Sequence, residues 1–467
     1  MRVNKSSAVG GSFRDPSGFV FVVEGQVYRQ INQVYREDYD RLMTSGLYAA
    51  LTRDGLLIPH TEADPALAQG ERAYKVLQPE RLPFISYPYE WAFDQLRDAA
   101  LLTLRIQRAA LEHGMSLKDA SAYNVQFVGC RPALMDTLSF EAYREGEPWV
   151  AYRQFCQHFL APLALMAYRD VRLSSLLRVH IDGVPLDLAS RLLPLSTRFR
   201  TPLLLHIHLH AKAQRRYADS DVGGAALARG RQVSRISLLG LLDSLESGLR
   251  KLRWRENETA WADYYAHTNY STAALDAKAA QVARFLEEAG PQRVCDLGAN
   301  TGRFSRLASA RGAFTVAADV DPGAVNLAYR EGKDKAETNL LPLVLDLTNP
   351  SPALGWANEE RESFAERGAF DLVLALALVH HLAIANNVPL ERVAAYFAAL
   401  APQLIVEFVP KSDSQVRRLL ASREDIFPEY TPAGFEQAFT RRYDIVQCVQ
   451  VPDSERILYW MRQKAER

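Results

Sequence analysis

The stretch Val294-Cys295-Asp296-Leu297-Gly298-Ala299-Asn300-Thr301-Gly302 decides the fold of the C-terminal half of the chain. An apolar strand enters a loop with two glycines, and a helix is predicted to start near Arg303. Glycine lets the backbone approach a ligand more closely than a residue with a Cβ allows. Asp296 lies at the carboxyl end of the strand, which is the edge where open α/β sheets bind ligands. The stretch therefore predicts a ligand site, with an ordinary strand-turn-helix connection as the alternative.

Two classes of cofactor use such a loop. A dinucleotide fold needs the spacing G-x-G-x-x-G, but Asn300 and Arg303 occupy two of the three glycine positions. The spacing D-x-G-x-N-x-G instead resembles the first motif of Rossmann-like methyltransferases, with Asn300 at the middle glycine. A carboxylate at Asp296 suits a sulfonium cofactor with a free amino group and is poorly placed beside a pyrophosphate. The resemblance implies S-adenosylmethionine as cofactor, bound by Asp296, Gly298, Asn300 and Gly302.

Two more carboxylates follow in the order that this resemblance requires. Asp319 ends the second predicted strand, where a carboxylate can accept hydrogen bonds from both ribose hydroxyls. Asp346 is placed at the end of the third predicted strand, where methyltransferases bind the adenine amino group. Leu345 and Leu347 are expected to flank the adenine. Each marker is weak alone, but their joint order and spacing favour a methyltransferase.

Candidate groups for the methyl acceptor come later in the chain. His380 and His381 follow the fourth predicted strand, and either imidazole has a pKa suited to removing a proton. The alternative is that the pair only orders the loop. Glu407 ends the fifth strand and is a second candidate for acceptor binding or base. Upstream of the first strand, Tyr265 and Asn269 are predicted to close the cofactor pocket, unless that segment is a packed interdomain helix.

Strand-like and helical segments alternate through this half, which predicts an α/β domain with a mostly parallel, seven-stranded, Rossmann-like sheet. The last two segments are expected to pair as an antiparallel edge. The predicted domains are a flexible leader at 1–18, an α+β domain at 19–250 and a methyltransferase domain at 251–467. The predicted strands are Arg293–Leu297, Thr315–Val320, Leu343–Leu347, Phe370–Leu376, Gln403–Phe408, Tyr443–Val451 and Ile457–Met461.

The N-terminal half begins with a predicted hairpin over Phe19–Ile31, turning at Glu24-Gly25. Helices are predicted over Tyr35–Leu56 and Glu90–His113. Residues 150–250 are predicted to be mostly helical, with loops at Ser190–Arg200 and 219–231.

Three polar residues in this half stand in a spacing that resembles kinase-like folds. In such folds the position of Asp119 contacts the acceptor hydroxyl, while those of Asn124 and Asp136 hold magnesium. Departures are Leu117 in place of a histidine, no evident glycine-rich phosphate loop, and Arg29 where a lysine is usual. Because arginine replaces a point-charge lysine poorly, we predict a degenerate domain that binds substrate or regulates. Active phosphoryl transfer and a chance spacing are the alternatives.

The amino-acid composition excludes some classes of binding partner. The 55 basic and 55 acidic residues give zero net charge. Bulk charge therefore does not attract a nucleic acid, and none is expected as a partner. Apolar stretches are far too short for a membrane span, so the protein is expected to be cytoplasmic and not membrane-bound. His206, His208 and His210 alternate in a segment with a helical pattern, so a structural role is favoured and no metal site is predicted.

The combined markers resemble one group of class I methyltransferases, the NoeA-like family of nodulation proteins. This resemblance implies methyl transfer to an oxygen or nitrogen of a small-molecule or glycan-type acceptor, although the acceptors of the family are largely undefined. A bifunctional kinase–methyltransferase and a non-catalytic cofactor-binding scaffold are the other hypotheses. The segments that carry the resemblance are Lys118–Asn124, Asp136–Glu141, Trp261–Tyr265, Leu374–Leu382, Asn386–Pro389, Glu407–Asp413 and Arg423–Pro428.

Overall fold

The computed structural model describes residues 7–212, 232–254, 272–421 and 423–465. Unit 1 comprises Met1–Val128, Pro132–Arg255 and Ala353–Glu362, and unit 2 comprises Gly129–Arg131, Glu256–Pro352 and Ser363–Arg467. The sequence analysis placed the boundary after residue 250 and did not anticipate the two short exchanged segments. Among the described helices, none has the length and apolar character needed to cross a membrane.

Unit 1 begins with an antiparallel sheet in the order β1-β2-β3-β5-β4. The predicted hairpin is confirmed as β2 and β3. Glu24 (φ 51°) and Gly25 (φ 78°) both lie in the left-handed region, as tight two-residue turns between twisted strands require. The strands are β1 Ser7–Ala8, β2 Gly18–Val23, β3 Gln26–Asn32, β4 His60–Glu62 and β5 Ala73–Pro79.

Two predictions for this region were wrong. Residues 7–18 are part of the fold and not a leader, because β1 pairs with β2 and the Val9 amide donates to the Val20 carbonyl at 2.9 Å. The predicted single helix over Tyr35–Leu56 is divided into α1 (Arg36–Thr44) and α2 (Leu47–Arg53). Gly46 between them has φ 83°, a left-handed conformation that interrupts a right-handed helix.

The elements that follow combine a long helix with two short two-stranded sheets. After the long helix α3, strand β6 leads into the loop of Asp119 and Asn124, the β7–β8 hairpin follows, and β9 returns to pair with β6. The α+β architecture predicted for this half is confirmed, and its likeness to kinases stays a prediction. The bounds are α3 Phe93–Glu112, β6 Met115–Leu117, β7 Val125–Val128, β8 Arg131–Leu134 and β9 Phe140–Ala142.

The rest of unit 1 is mainly helical, as predicted, with π-helical turns at Cys156–Leu160 and Leu204–Leu209. The predicted loop over Ser190–Arg200 instead contains the end of α7 and a 3-10 turn at Leu195–Phe199. The helices are α4 Tyr152–Phe155, α5 Ala161–Tyr168, α6 Leu176–Val179, α7 Leu186–Leu192, α8 Thr201–Leu203 and α9 Arg235–Lys251.

Unit 2 is built on a seven-stranded sheet in the order β12-β11-β10-β13-β14-β16-β15. The first five strands are parallel, and β16 lies antiparallel to both β14 and β15. This confirms the predicted Rossmann-like sheet with its antiparallel edge. The strands are β10 Arg293–Leu297, β11 Phe314–Asp319, β12 Leu340–Val344, β13 Leu372–Ala375, β14 Gln403–Phe408, β15 Tyr443–Gln450 and β16 Ile457–Gln463.

Helices cover this sheet, and the strand order reverses on either side of β10. Such a switch point opens a crevice beyond the carboxyl ends of the strands, which places the loops after β10, β11 and β13 around one space. The helices are α10 Thr272–Ala289, α11 Ser305–Ser309, α12 Pro322–Asp334, α13 Phe364–Arg367, α14 Leu390–Leu400, α15 Ser414–Leu420 and α16 Pro432–Phe439.

Candidate active site

The glycine loop after β10 is fixed to the neighbouring strand. The amides of Gly298 and Ala299 both donate to the Ala318 carbonyl, at 2.9 and 3.0 Å. The Asn300 amide donates to Oδ2 of Asp319 at 2.7 Å. Asn300 has φ 51°, and asparagine is one of the few residues other than glycine that adopt this left-handed conformation readily. Asparagine at the middle glycine position of the motif is therefore compatible with the loop.

A cavity of about 360 Å³ lies in unit 2 at this edge of the sheet. A volume of this size is at the lower end of small-molecule sites. Six predicted cofactor residues line it: Asp296, Gly298, Asn300, Asp319, Asp346 and Leu347. His381 lines it as well, whereas Gly302, His380 and Glu407 are not among the described residues of its wall. Tyr265 and Asn269 lie outside the described residues.

Asp296 is the most deeply buried carboxylate of the cavity wall, with 2% of its surface exposed. Its Oδ2 accepts a hydrogen bond from the Ser305 hydroxyl at 2.6 Å. Burial raises the pKa of Asp296 to about 7, and the charge of Asp319 acts in the same direction. A cation that entered the cavity would stabilise the ionised form. This carboxylate therefore fits the amino group of S-adenosylmethionine.

Asp319 ends β11 as predicted and holds two backbone amides. Its Oδ2 accepts from Asn300, and its Oδ1 accepts from Asp321 at 2.8 Å. Burial raises the pKa of the Asp319 carboxyl, while the hydrogen bonds from these amides lower it. Asp319 thus lines the cavity and also fixes the shape of the glycine loop.

Asp346 does not end its strand, contrary to the sequence prediction. Strand β12 covers Leu340–Val344, three residues earlier than expected, so Asp346 lies in the loop beyond it. There its Oδ1 accepts from the amide and the hydroxyl of Thr348, at 2.8 and 2.7 Å. Leu345 is buried on the cavity wall next to this exposed carboxylate. The predicted adenine-binding residues Leu345, Asp346 and Leu347 all line the cavity.

The two histidines differ in their surroundings. The ring centroids of His380 and His381 are 4.1 Å apart. His380 is 1% exposed, and neither ring nitrogen has a hydrogen-bond partner among the described residues. Burial lowers the pKa of both imidazoles, and the positive charge of Arg456 adds to this effect. His381 is therefore a neutral imidazole on the cavity wall, and His380 is packed behind it.

Glu407 is completely buried and faces two cations. Its Oε2 lies 2.6 Å from Nζ of Lys278, and its Oε1 lies 3.8 Å from Nη1 of Arg456. Nε of Arg456 also donates to Oδ2 of Asp413 at 2.8 Å. Two basic and two acidic side chains thus form one buried network next to the cavity.

Sequence analysis missed Lys278 and Arg456. Lys278 lies on α10 among core residues, between Leu275 and Val282, at a spacing that belongs to the buried face of the helix. A lysine on an apolar helix face is rarely buried unless it has a partner. The position of Lys278 on the apolar face of α10 was therefore the one sequence feature that could have indicated a buried charged pair. Arg456 follows a short turn before β16 and has no comparable local signature.

The kinase-like residues of unit 1 also come together. Arg29 of β3 forms an ion pair with Asp136, and the Ser139 hydroxyl donates to Asp136 Oδ2 at 2.6 Å. Nδ2 of Asn124 donates to that hydroxyl oxygen at 3.2 Å. Burial raises the pKa of Asp119, and the negative charge of Asp136 raises it further. The roles that the spacing implies for Asp119, Asn124 and Asp136, and the degenerate role of the domain, stay predictions.

Two of the three alternating histidines, His206 and His208, lie on the π-helical turn Leu204–Leu209 and have structural partners. The ring of His206 hydrogen bonds to the Tyr152 hydroxyl at 2.7 Å and to Ser244 at 2.9 Å. His208 contacts the hydroxyls of Ser190 and Thr197, each at 2.9 Å. These contacts hold neighbouring helices of unit 1 together.

Comparisons with known proteins bear directly on this site. Residues 265–450 match a methyltransferase-domain family. The chain is 39% identical over 459 residues to "Nodulation protein NoeA" of Rhizobium meliloti (strain 1021), which covers 97% of this chain and 95% of the relative. The chain belongs to the NoeA family. This NoeA-family chain is an S-adenosylmethionine-dependent methyltransferase, as the sequence resemblance implied.

Solved structures with related folds include two other methyltransferases. One is magnesium protoporphyrin IX methyltransferase from Synechocystis PCC 6803 with bound S-adenosylmethionine, which has 19% identity, covers 44% of this chain and 89% of that chain, and has a TM-score of 0.31. The other is N-methyltransferase NodS from Bradyrhizobium japonicum WM9, with 15% identity, 42% and 99% coverage and a TM-score of 0.32.

Proposed function

We propose that this NoeA-family methyltransferase methylates an oxygen or nitrogen atom of a small-molecule or glycan-type acceptor, with His381 as the general base. One observation carries the proposal. A neutral imidazole shares a cavity with two carboxylates that fit the cofactor, the buried Asp296 and the half-buried Asp319. A base and a cofactor site in one cavity are what methyl transfer to a hydroxyl or amine requires.

The cofactor roles follow from the positions of the side chains. Asp296 binds the amino group, Asp319 binds the ribose hydroxyls, and Asp346 binds the adenine amino group, with Leu345 and Leu347 against the ring. Bound S-adenosylmethionine supplies an electrophilic methyl group on a sulfonium. The loop of Gly298, Asn300 and Gly302 allows close approach of the backbone, since Gly298 (φ 75°) and Gly302 (φ 83°) adopt left-handed conformations. Tyr265 and Asn269 are proposed to cover the cofactor.

His381 is proposed to take the proton from the acceptor. Its lowered pKa keeps a ring nitrogen free of a proton at neutral pH, so the imidazole is ready to act as base. His380 supports the ring of His381 by contact at 4.1 Å between centroids. Glu407 faces Lys278 and Arg456, and this supports a positioning role for Glu407 in place of direct proton removal.

Three considerations support the acceptor class. The wall after β13 combines an imidazole, the amide side chain of Asn386 and apolar residues such as Leu378 and Leu382. These groups suit a partly apolar acceptor with a hydroxyl or amine. The zero net charge of the chain does not favour a nucleic acid. The relative's name as a nodulation protein also fits a small signal molecule or glycan better than a macromolecular scaffold.

We expect the acceptor class to be revealed by labelling. Wild-type protein and an Asp319→Ala control would each be incubated with methyl-tritiated S-adenosylmethionine and cell extract, and the products separated into small-molecule, glycan, protein and nucleic-acid fractions. Label should enter the small-molecule or glycan fraction with the wild type and be absent with the control. Label confined to protein or nucleic acid would contradict the proposed acceptor class.

A further inference from the structure

We propose that Lys278 binds the carboxylate of the methionine part of the cofactor and forms, with Asp296, a paired charge site for its zwitterionic end. Glu407 is the residue that positions Lys278. This inference rests on the proposed assignment of Asp296 and Asp319 to the cofactor. It adds a binding residue that neither the glycine motif nor the strand-end carboxylates predict.

Lys278 is a buried residue that forms part of the cavity wall. Only 3% of its side chain is exposed. Its Nζ lies 2.6 Å from Glu407 Oε2 and 4.8 Å from the ring centroid of Phe304. Burying an ammonium costs several kcal/mol unless it is compensated, and the carboxylate and the aromatic face both compensate it. Among the described residues of the wall, Lys278 is present and Glu407 is not, so the lysine is the member of the pair that a ligand meets.

The charges on the cavity wall leave one place for a ligand carboxylate. Within the described lining, Lys278 is the only lysine or arginine, while Asp296, Asp319 and Asp346 are all acidic. A ligand carboxylate would be repelled by the three acids and attracted by Lys278. Asp296 is the buried acid whose ionised form Lys278 favours, since the lysine lowers its pKa against the effect of burial. The two opposite charges therefore match the two ends of an α-amino acid.

The network around Lys278 contains two basic and two acidic side chains. Lys278 and Arg456 balance Glu407 and Asp413 before any ligand enters. A zwitterion adds one positive and one negative group, so the balance is preserved on binding. Burial lowers the pKa of Lys278, and Glu407 opposes that effect by its charge and its hydrogen bond. Glu407 thus acts on the cofactor through Lys278.

The test compares two ligands that differ in this arm alone. S-adenosylhomocysteine carries the amino and carboxylate groups, and 5′-methylthioadenosine lacks both. By calorimetry, Lys278→Met should weaken the binding of S-adenosylhomocysteine about 10- to 100-fold, the usual range for a hydrogen bond to a charged group. The affinity for 5′-methylthioadenosine should stay within two-fold of the wild-type value. Lys335→Met, at an exposed lysine paired with Glu331 on α12, should change neither affinity.

Each outcome decides the inference. An equal loss of affinity for both ligands, or an unchanged affinity for S-adenosylhomocysteine, would overturn the role of Lys278. If Lys278→Met fails to fold, the double variant Lys278→Met/Glu407→Gln removes both charges of the pair. It must then lose affinity for S-adenosylhomocysteine and keep its affinity for 5′-methylthioadenosine. Failure of the wild type to bind either ligand would instead overturn the proposed cofactor site itself, so the two failures are distinguishable.

Discussion

Replacing Asp319 with alanine is expected to raise the dissociation constant for S-adenosylhomocysteine by about 100-fold or more. The variant loses the proposed acceptor of both ribose hydroxyls, and each hydrogen bond to a charged group contributes about 1.5–3 kcal/mol. It also leaves the amides of Asn300 and Asp321 without the carboxylate that they contact at 2.7 and 2.8 Å. The glycine loop should therefore lose its shape together with the ribose contact. Calorimetry on the purified variant measures the effect.

Asp371 offers a matched control for this prediction. Its Oδ2 also accepts two backbone amides, from Gln292 and Arg293 at 2.8 Å each, but at the opposite ends of the strands. Asp371→Ala should lower the melting temperature and leave the affinity for S-adenosylhomocysteine nearly unchanged. If Asp319→Ala and Asp371→Ala weakened binding equally, the loss would reflect general destabilisation and the role assigned to Asp319 would be wrong.

Replacing His381 with alanine is expected to lower kcat by about 10²- to 10⁴-fold, the usual contribution of a general base. The affinity for S-adenosylhomocysteine should stay close to wild type, because the imidazole acts on the acceptor. Since burial lowers the pKa of His381, the imidazole stays neutral as the pH falls through the ordinary histidine range. The wild-type rate should therefore be flat there and decline only at lower pH, and the variant should lack this decline.

His380 provides the comparison variant for the proposed base. His380→Gln should reduce kcat less than ten-fold, because this buried ring supports His381 and is not a described part of the cavity wall. A rate loss at His380 as large as that at His381 would contradict the assignment. So would an unchanged rate in His381→Ala, which would leave proton removal to solvent or to Glu407.

The parts of the site that sequence could predict are those set by local pattern. Asp296 and Asp319 stand at the ends of strongly apolar strands, and parallel strands bring their carboxyl ends to one edge. Asn300 could be placed on the loop by spacing, while its φ of 51° explains why an asparagine is tolerated there. The hairpin turn was predictable from Gly25, since glycine adopts the left-handed conformation readily, whereas Glu24 (φ 51°) has no such preference.

Other features depend on long-range contacts that no local pattern encodes. The third strand was misplaced because residues 340–347 are apolar almost throughout, and its bounds come from the register Thr315↔Leu340 with β11. The pairing of Lys278 with Glu407 joins residues 129 positions apart in the chain. The ordering of residues 7–18 includes an ion pair of Arg14 with Glu360, 346 positions away. Each depends on the finished fold of its unit.

The most direct test of the central claim is a pair of calorimetric titrations on the wild-type protein. The cavity at the Asp296–Gly302 loop is expected to bind S-adenosylmethionine and to give no heat with NAD, because the glycines of a dinucleotide motif are missing at positions 300 and 303 and acidic side chains line the wall. Saturable heat with S-adenosylmethionine alone would support the account. No heat with S-adenosylmethionine, or tight binding of NAD at the same site, would contradict it.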